Sequence, residues 1–553
     1  MRNLQISVAL GAWCWLLPGL AHAATYYVAP APTGSDTNEG SEAAPFASMA
    51  RAQTAAQAGD TVYFRAGTYS YTKGTTTCSS GTATISGVVL DKDGSEGNPI
   101  RYFAYPGELP VFDFDGIRDS CRIKGILVSA DYVHLKGLEI KGVRQNNDLN
   151  HESWGVWIQG SHNVFEALDV HHIMGAGIFI QRGSDNLVLN CDSHHNLDEH
   201  TSNGAGESAD GFGCHVSAGE TGNVFRGCRA WWNADDGYDF INADAACTVE
   251  HSWAWFNGYV PDSMEGIGNG NGFKGGGYGA DPADFPADPA EHTTRYCLAF
   301  ANKAAGFYAN HHPDKLFFHN NTAFDNHPNF NMLGMNGSGA DITVGEYRNN
   351  VALGGTMFSN RNGADEANNA WTIAGVMVSE ADFQSVATTG MDAPRQADGS
   401  LPVLPNFRLA EGSDLIDKGV DLGLPFAGSA PDLGAFEVGL EPPLVGGGAG
   451  GGGNPGGSGT GGAGGGTPSP SGGAGSPSAG ASVAGGTPNA GAGTSAGAGS
   501  SMSPLGTAGA NGPSADASGC ACRFDQRASR SEPTAILGLL LLGSVLARRR
   551  TRR

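Results

Sequence analysis

Short apolar runs that end in Asn or Gly recur along the middle of the chain. Six of these runs align on a small central residue, which recurs about every 23 or 24 positions or at longer intervals where a loop intervenes: Val170, Ser193, Ala230, Ala254, Ala299 and Ala323. A repeat of this length, built from β-rich runs and turns, is typical of a solenoid. The pattern therefore predicts an all-β, parallel β-helix over residues 24–441.

Stacked coils of such a fold place equivalent residues about 4.8 Å apart, so that they form ladders along the axis. One predicted ladder consists of asparagines, which we interpret as structural because Asn tolerates left-handed turns and its amide can bond to the next rung: Asn196, Asn233, Asn257, Asn302 and Asn326. A second ladder is aromatic, and we expect it to serve packing and not sugar binding: Trp231, Trp255, Phe300 and Phe324.

The N-terminus has the pattern of an export signal. Arg2 precedes an apolar run from about residue 6 to residue 20, and Ala21-His22-Ala23 is a small-x-small cleavage site. Residues 1–23 are therefore predicted to be a signal peptide. Segments near both ends of the body, at residues 59–64 and 431–437, also resemble the opening and the close of many extracellular β-helix proteins.

The C-terminal part has a different composition. Residues 442–518 are almost all Gly, Ala, Ser, Thr or Pro, a composition that cannot bury enough apolar area to fold, so we expect a disordered linker. Residues 519–553 contain Cys520, Cys522, an apolar run at 535–547 and an arginine cluster. This layout resembles the C-terminal cell-surface sorting tags common in myxobacteria, with a short hydrophobic helix. The alternative is a plain transmembrane tail anchor. Either reading places the protein outside the cytoplasm, secreted or displayed at the cell surface.

The net charge narrows the possible binding partners, and the cysteine count limits the possible disulfides. The formal net charge of −23 makes nucleic acid an unsuitable partner, whereas an acidic polymer can still bind if cations bridge the two. The body contains seven cysteines, so at least one thiol stays unpaired within the chain. Cys191, Cys228 and Cys297 share a repeat position with Ser252, which indicates small buried residues and not nucleophiles.

A second strand follows each Asn turn and brings carboxylates together. Aligning these strands places Asp210 and Asp236 at one ladder position, and Asp239 and Lys274 at another on neighbouring rungs. Carboxylates one rung apart, with Asp235 beside them, would repel one another without a cation between them. Calcium (Ca2+) accepts six to eight oxygen ligands in irregular geometry and suits four aspartates better than zinc does. The alternative is a set of solvated turn aspartates.

Lys274 lies in the glycine-rich segment 268–277, whose missing side chains leave the backbone open to a bulky ligand. Such a lysine, one rung from a metal, is a candidate base. With these residues, the stretch 210–277 resembles polysaccharide lyase family 9, the calcium-dependent pectate lyases built on a right-handed parallel β-helix. The motifs that match are Asp-Gly-Phe from Asp210, Trp-Trp-Asn-Ala-Asp-Asp-Gly-Tyr-Asp ending at Asp239, and Asn-Gly-Phe-Lys ending at Lys274.

This resemblance implies a function for each candidate residue. Asp210, Asp235, Asp236 and Asp239 would bind calcium, and Lys274 would be the Brønsted base. The substrate would be an acidic, polygalacturonate-like polysaccharide, cleaved by β-elimination when the lysine takes the C5 proton. We expect the protein to act as a monomer.

Two other functions are compatible with the same fold. An inverting glycoside hydrolase would use Asp235 or Asp236 as its acid and a second carboxylate to activate water, and would have no use for Lys274. A non-catalytic surface adhesin would use calcium only to stiffen the turns.

Several further polar residues remain outside the predicted site. The pairs His171-His172 and His194-His195 recur at 23 residues and could hold a transition metal, but a turn ladder explains them equally well. Arg229, Lys303 and Lys315 are candidates for holding substrate carboxylates.

Overall fold

The computed structural model describes residues 23–440, except 77–82, 119–120, 146–151, 202–203, 280 and 362. In this part the chain winds into a parallel β-helix, and each complete coil contributes one strand to each of three sheets, A, B and C, in that order. The predicted fold class is confirmed. The predicted signal peptide (apart from Ala23), the predicted linker and the predicted C-terminal tag with its hydrophobic helix lie outside the described residues.

Sheet A has twelve strands, in stacking order β1 (Thr25–Val28), β2 (Thr61–Phe64), β5 (Ile100–Ala104), β8 (Val133–Lys136), β11 (Val164–Glu166), β14 (Leu187–Leu189), β17 (Asn223–Arg226), β20 (Cys247–Glu250), β23 (Thr293–Arg295), β26 (Phe317–His319), β31 (Glu346–Arg348) and β34 (Asp365–Ala367). Sheet B has ten strands: β3 (Gly67–Ser70), β6 (Pro110–Asp113), β9 (Glu139–Lys141), β12 (Asp169–His171), β15 (Asp192–His194), β18 (Arg229–Trp231), β21 (Trp253–Trp255), β24 (Leu298–Phe300), β27 (Thr322–Phe324) and β32 (Val351–Leu353).

Sheet C, which carries the candidate site, also has ten strands: β4 (Thr84–Leu90), β7 (Arg122–Val128), β10 (Ser153–Ile158), β13 (Gly175–Ile180), β16 (Phe212–Cys214), β19 (Tyr238–Asp239), β22 (Phe273–Lys274), β25 (Phe307–Tyr308), β28 (Phe330–Asn331) and β33 (Phe358–Ser359). A small antiparallel hairpin, β29 (Leu333–Met335) with β30 (Asp341–Thr343), branches from the helix. Two short 3-10 helices span Pro282–Asp284 and Glu380–Asp382.

Helix α1 (Met49–Ala55) follows the first strand. Its N-cap Ser48 accepts a hydrogen bond from the backbone N of Arg51 at 3.1 Å, and it buries Met49 and Ala52. An N-cap hydroxyl of this kind satisfies a backbone donor that the helix itself leaves unpaired, so the sequence starts the helix at this point.

The predicted repeat is confirmed in sheet B. The six small central residues pair with one another from strand to strand, and all are fully buried in the core: Val170, Ser193, Ala230, Ala254, Ala299 and Ala323. At Ala230 and Ala254 the space is limited, because their Cβ atoms lie close to Gly211 and Gly237, which precede strands of sheet C.

The Asn ladder is confirmed in its bonding but not in its backbone conformation. Side-chain amides join successive rungs, as from Asn233 Nδ2 to Asn257 Oδ1 at 3.0 Å and from Asn257 Nδ2 to Asn302 Oδ1 at 2.9 Å. The left-handed residue of each turn is the one before the Asn, with φ between 51° and 54°: His195, Trp232, Phe256, Ala301 and Asp325. The preceding residue thus makes the turn, and the Asn is left to bridge the rungs.

Two further Asn ladders were not predicted. Asn163, Asn186 and Asn223 support the turn before sheet A, where Asn186 Nδ2 donates to Asn223 Oδ1 at 3.0 Å. The other ladder lies at the repeat position that Cys191, Cys228, Ser252 and Cys297 occupy. The backbone N of Cys228 donates to Ser252 Oγ, and the backbone N of Cys297 donates to Asn321 Oδ1 at 2.9 Å. Asn321, Asn350 and Asn369 then extend this column.

The cysteines behave as the repeat predicts. Cys191, Cys228 and Cys297 are buried free thiols, and burial raises the pKa of Cys297, which disfavours the reactive thiolate. Cys214 and Cys247 form a disulfide between sheets C and A.

The aromatic ladder of sheet B serves packing, as predicted. Trp231 stacks on Trp255 at 4.9 Å between ring centroids, and Trp255 on Phe300 at 5.6 Å. The segment that follows the last coil covers this column, with Phe407 lying 5.3 Å from Phe300. The covered rings therefore offer no open sugar platform.

The interpretation of Arg229 as a substrate ligand was wrong. Its guanidinium donates to both oxygens of Asp192, at 2.8 and 2.7 Å, and to the backbone oxygens of Met391 and Ala393. Arg395 donates to the same carboxylate. Arg229 therefore belongs to a buried ion cluster that fixes the C-terminal segment to sheet B.

Within the described part of the chain, no helix has the length and apolar character needed to cross a membrane. The apolar run at 535–547 falls outside that part.

Candidate active site

Three consecutive strands of sheet C build the site. Phe212 of β16 pairs with Tyr238 of β19, and Tyr238 pairs with Phe273 of β22. These three rings stack at 4.9 and 4.7 Å between centroids and are buried in the core. Packing of these rings on the inner face of sheet C therefore fixes the register of the three strands, and with it the positions of the side chains on the outer face.

That register confirms the two predicted columns. Asp210, Asp236 and Asn271 each lie two residues before one of the paired aromatic residues, and Asp239 pairs directly with Lys274. Asp236 is held in place by hydrogen bonds from the backbone N and the side-chain amide of Asn271, at 2.6 and 2.8 Å, to its Oδ1. Its own backbone N donates to Asp210 Oδ1 at 3.1 Å.

Three of the four predicted calcium ligands converge closely. Asp210, Asp236 and Asp239 each offer a carboxylate oxygen, and these oxygens all lie within 4.8 Å of one another. Lys274 Nζ lies 3.1 Å from Asp239 Oδ2 and 3.2 Å from Asp236 Oδ2. The predicted base therefore sits directly against the carboxylate cluster.

Asp235 faces the same cleft but stands outside this close group. Its Oδ1 accepts a hydrogen bond from the backbone N of Asn269 at 2.9 Å, and Asn269 Nδ2 donates to Glu207 at 3.1 Å. Asp235 thus joins the cluster to the glycine-rich segment and the loop before Asp210.

Burial and mutual repulsion perturb the carboxyl groups. Burial raises the pKa values of Asp210 and Asp235 well above their usual range, and neighbouring carboxylates raise them further. Burial also raises the pKa of Asp236, although Lys274 opposes this shift. Burial lowers the pKa of Lys274, but Asp239, Asp236 and the other carboxylates outweigh it and hold that pKa well above its usual value.

The donor set fits a divalent cation that prefers oxygen. Four buried carboxylates face a single ammonium, so the cluster carries excess negative charge when ionised. Apart from its ion pair with Lys274, Asp236 Oδ2 has no hydrogen-bond partner among the described residues. One ammonium cannot balance four ionised carboxylates, so a divalent cation would relieve the repulsion that remains between them.

The cleft extends from the carboxylates to an aromatic patch on strands β10 and β13 that the sequence reading missed. Its further lining residues are Glu152, Trp154, Ala176, Phe179, Glu207, Ser208, His215 and Ile241. Burial lowers the pKa of His215 to about 4, so this ring is neutral near pH 7. Lys124 Nζ lies 4.3 Å from the ring centroid of Trp157, and burial lowers its pKa to about 8.

The other two proposed substrate ligands do not line this cleft. Lys303 donates to the backbone oxygen of Gly268, and Lys315 pairs with Glu346 at 2.8 Å. Lys124 does not line the cleft either, but its Nζ lies 5.8 Å from the ring centroid of Trp154, which does, so it is a candidate cation near the substrate. A lysine on an outer sheet position beside two tryptophans could have been found from the sequence.

The fold and the site together define the class of protein: a parallel β-helix with a cleft of carboxylates and a lysine on one of its sheets. The family model "Pel9A-like, right handed beta helix region" matches residues 26–350. The pectate lyase L of Dickeya chrysanthemi is 36% identical over 434 residues, which cover 76% of this chain and 92% of that protein.

Two solved structures are also similar. The crystal structure of pectate lyase Pel9A has a TM-score of 0.61 and 33% identity, and the match covers 76% of this chain and 97% of that one. A rhamnogalacturonan lyase has a TM-score of 0.65 and 34% identity, with 70% and 97% covered. The chain belongs to the Pel9A-like right-handed β-helix family, and it is a polysaccharide lyase.

Proposed function

We propose that the protein is a calcium-dependent pectate lyase that cleaves polygalacturonate-type polymers by β-elimination, with Lys274 as the base. The observation that carries this proposal is the position of Lys274 Nζ, within 3.2 Å of both Asp236 and Asp239. A hydrolase has no use for a buried lysine at this place, whereas a proton abstraction needs a base of this kind.

Asp210, Asp236 and Asp239 would hold the calcium ion, with Asp235 beside them. Bound calcium supplies positive charge that acidifies the C5 proton next to the substrate's C6 carboxylate. Lys274 in its neutral form accepts that proton at Nζ. The electron pair of the C5–H bond becomes the C4–C5 double bond, and the C4–oxygen bond breaks with its electrons on the leaving oxygen. The leaving oxygen takes a proton from solvent, and the new chain end is an unsaturated uronate.

The cleft residues have supporting roles. The neutral ring of His215 and the aromatic faces of Trp154 and Phe179 border the cleft, where they would exclude water and contact sugar faces. The Lys124 ammonium, which lies beside Trp154, would neutralise an acidic unit bound against that end of the cleft.

A second substrate remains a candidate because a structural relative is named a rhamnogalacturonan lyase. Polygalacturonate places a carboxylate on every unit, and rhamnogalacturonan places one on alternate units. A calcium site that binds the carboxylates of the polymer therefore favours polygalacturonate, which carries more of them.

We also propose that the protein is exported and displayed or released as a monomer, with the myxobacterial-type tag processed at its C-terminus. Mass spectrometry of the protein recovered from outside the cells tests this part. A mature chain that begins at Ala24 and lacks the arginine cluster supports it. A full-length chain kept in the cytoplasm contradicts it.

The activity is tested by incubating the purified body with polygalacturonate or rhamnogalacturonan and calcium while following ultraviolet absorbance. We expect absorbance to rise with polygalacturonate and to stop on chelation. New reducing ends without absorbance would support the hydrolase, and calcium-dependent binding without turnover would support the adhesin. Absorbance with rhamnogalacturonan alone would reassign the substrate.

A further inference from the structure

Two pairs of adjacent histidines form a cluster on sheet B, apart from the cleft on sheet C. His171 pairs in register with His194, and their rings stack at 5.0 Å, while the rings of His172 and His195 stack at 5.7 Å. Within each pair the two Nδ1 atoms face each other at 2.6 Å. Four imidazoles are thus held in two matching pairs on adjacent rungs.

The tautomers of His194 and His195 leave both facing nitrogens without a hydrogen. His194 Nε2 lies 3.0 Å from Asp169 Oδ1, and His195 Nε2 lies 3.1 Å from Asp262 Oδ1. A carboxylate accepts hydrogen bonds, so each Nε2 must carry the proton. In the neutral rings, both Nδ1 atoms then present lone pairs to each other, which is repulsive unless a cation lies between them.

A proton held between the two Nδ1 atoms would be one such cation, and a metal ion bound to both would be another. His171 repeats the pattern one rung away, with Nε2 at 3.3 Å from Glu139 Oε1.

The same features describe metal-binding histidines. A ligating imidazole commonly donates its second N–H to a carboxylate, which fixes the ring and makes the other nitrogen more basic. Imidazole nitrogens suit zinc and copper. Tetrahedral zinc at about 2.05 Å from each ligand needs the two nitrogens about 3.3 Å apart, so the two rings, which are 2.6 Å apart at Nδ1, must separate slightly to bind it.

We propose that His194 and His195 chelate a divalent transition-metal ion, zinc or copper, through their Nδ1 atoms. Asp169 and Asp262 orient the two rings from behind, and solvent completes the coordination. This site differs in place and in ligand chemistry from the oxygen-lined calcium cluster.

The site is tested by titrating the untagged, calcium-loaded protein with zinc alone in a calorimeter. We expect binding in the wild type and a loss of at least about tenfold in affinity in His195→Gln. Asp262→Asn should weaken binding by about tenfold, the lower end of the effect of an orienting carboxylate, because Asp262 is largely exposed. Asp284→Asn, an exposed control, should bind zinc as the wild type does.

A second measurement does not depend on how well the variants fold. Copper added to the wild type should give an electron paramagnetic resonance spectrum with hyperfine splitting from two imidazole nitrogens. The proposal is overturned if this splitting is missing, if the wild type takes up no zinc, or if a folded His194→Gln/His195→Gln variant binds zinc unchanged. Lyase activity of the variant reports its folding.

Discussion

Lys274 and Asp239 pair in register on adjacent strands of sheet C, with Lys274 Nζ at 3.1 Å from Asp239 Oδ2. Without a metal, this contact stabilises the ammonium, which cannot accept a proton. The proposed base and the proposed calcium ligands are therefore one electrostatic unit, in which occupation of the carboxylates by a cation must weaken their hold on the lysine proton.

The first prediction concerns Asp236, the most deeply buried of the carboxylates. Asp236→Asn removes one charge and one strong ligand, so calcium binding should weaken by roughly 100-fold or more. Activity at low calcium should fall in parallel. Calorimetric calcium titration and the ultraviolet assay measure the two effects.

The matched control for this experiment is Asp284→Asn, an exposed aspartate on a short 3-10 helix that does not line the cleft. It should leave both quantities unchanged. Full activity of Asp236→Asn at low calcium would show that the site is wrongly assigned.

Calcium binding should release protons. Burial raises the pKa values of Asp210, Asp235 and Asp236, so the metal-free protein holds protons on this set to higher pH than ordinary aspartates would. A cation that needs the ionised oxygens must displace those protons, on the order of one per ion. Calorimetry in two buffers of different ionisation enthalpy measures the release, and equal heats in both buffers would contradict it.

The rate should rise with pH. The pKa of Lys274 lies well above its usual value in the metal-free protein, so the neutral base is scarce near pH 7 and increases about tenfold per pH unit below that pKa. The apparent pKa of kcat/KM should fall as calcium saturates the site. Profiles recorded at low and high calcium test this coupling, and two superimposable profiles would refute it.

The parts of the fold and of the candidate site that could be predicted from the sequence are those that the repeat determines. The register of sheet C follows from the Gly-aromatic openings of its strands, so the columns of Asp210 with Asp236 and of Asp239 with Lys274 were predictable. Glu207 and Ser208 line the same cleft from a loop, and no repeating pattern constrains the path of a loop.

The ion cluster at Asp192 shows the same limit. The ion pair of Arg229 with Asp192 follows from the repeat, because the two residues pair in register on adjacent coils. The backbone oxygens of residues 391 and 393, which Arg229 also binds, lie more than 160 positions away. The fold brings them together only when the C-terminal segment packs on sheet B. Contacts of this range leave no local signature.

Asp192 yields a stability prediction. Burial alone would raise its pKa, but Arg395 and Arg229 outweigh burial and hold the pKa well below its usual value. Its stabilising effect is therefore present above the unfolded pKa of about 3.9 and is lost as pH falls. Asp192→Asn should cost roughly 3–5 kcal/mol near pH 7, because two buried guanidinium groups lose their counter-charge.

Chemical denaturation at about pH 7 and about pH 3 measures this effect, with Asp185→Asn on an exposed turn as the control. The difference from wild type should narrow at the lower pH. An equal difference at both pH values would show that the charge of Asp192 does not contribute.

The most direct test of the proposed mechanism is the rate of Lys274→Arg on polygalacturonate at saturating calcium. Arginine keeps the positive charge and approximate length but stays protonated at any usable pH. The variant should bind calcium and polymer as the wild type does while losing nearly all activity, by about 1,000-fold or more given the usual contribution of a general base. A Lys274→Arg enzyme that keeps a substantial fraction of the wild-type rate would show that Lys274 only stabilises charge and that another group takes the C5 proton.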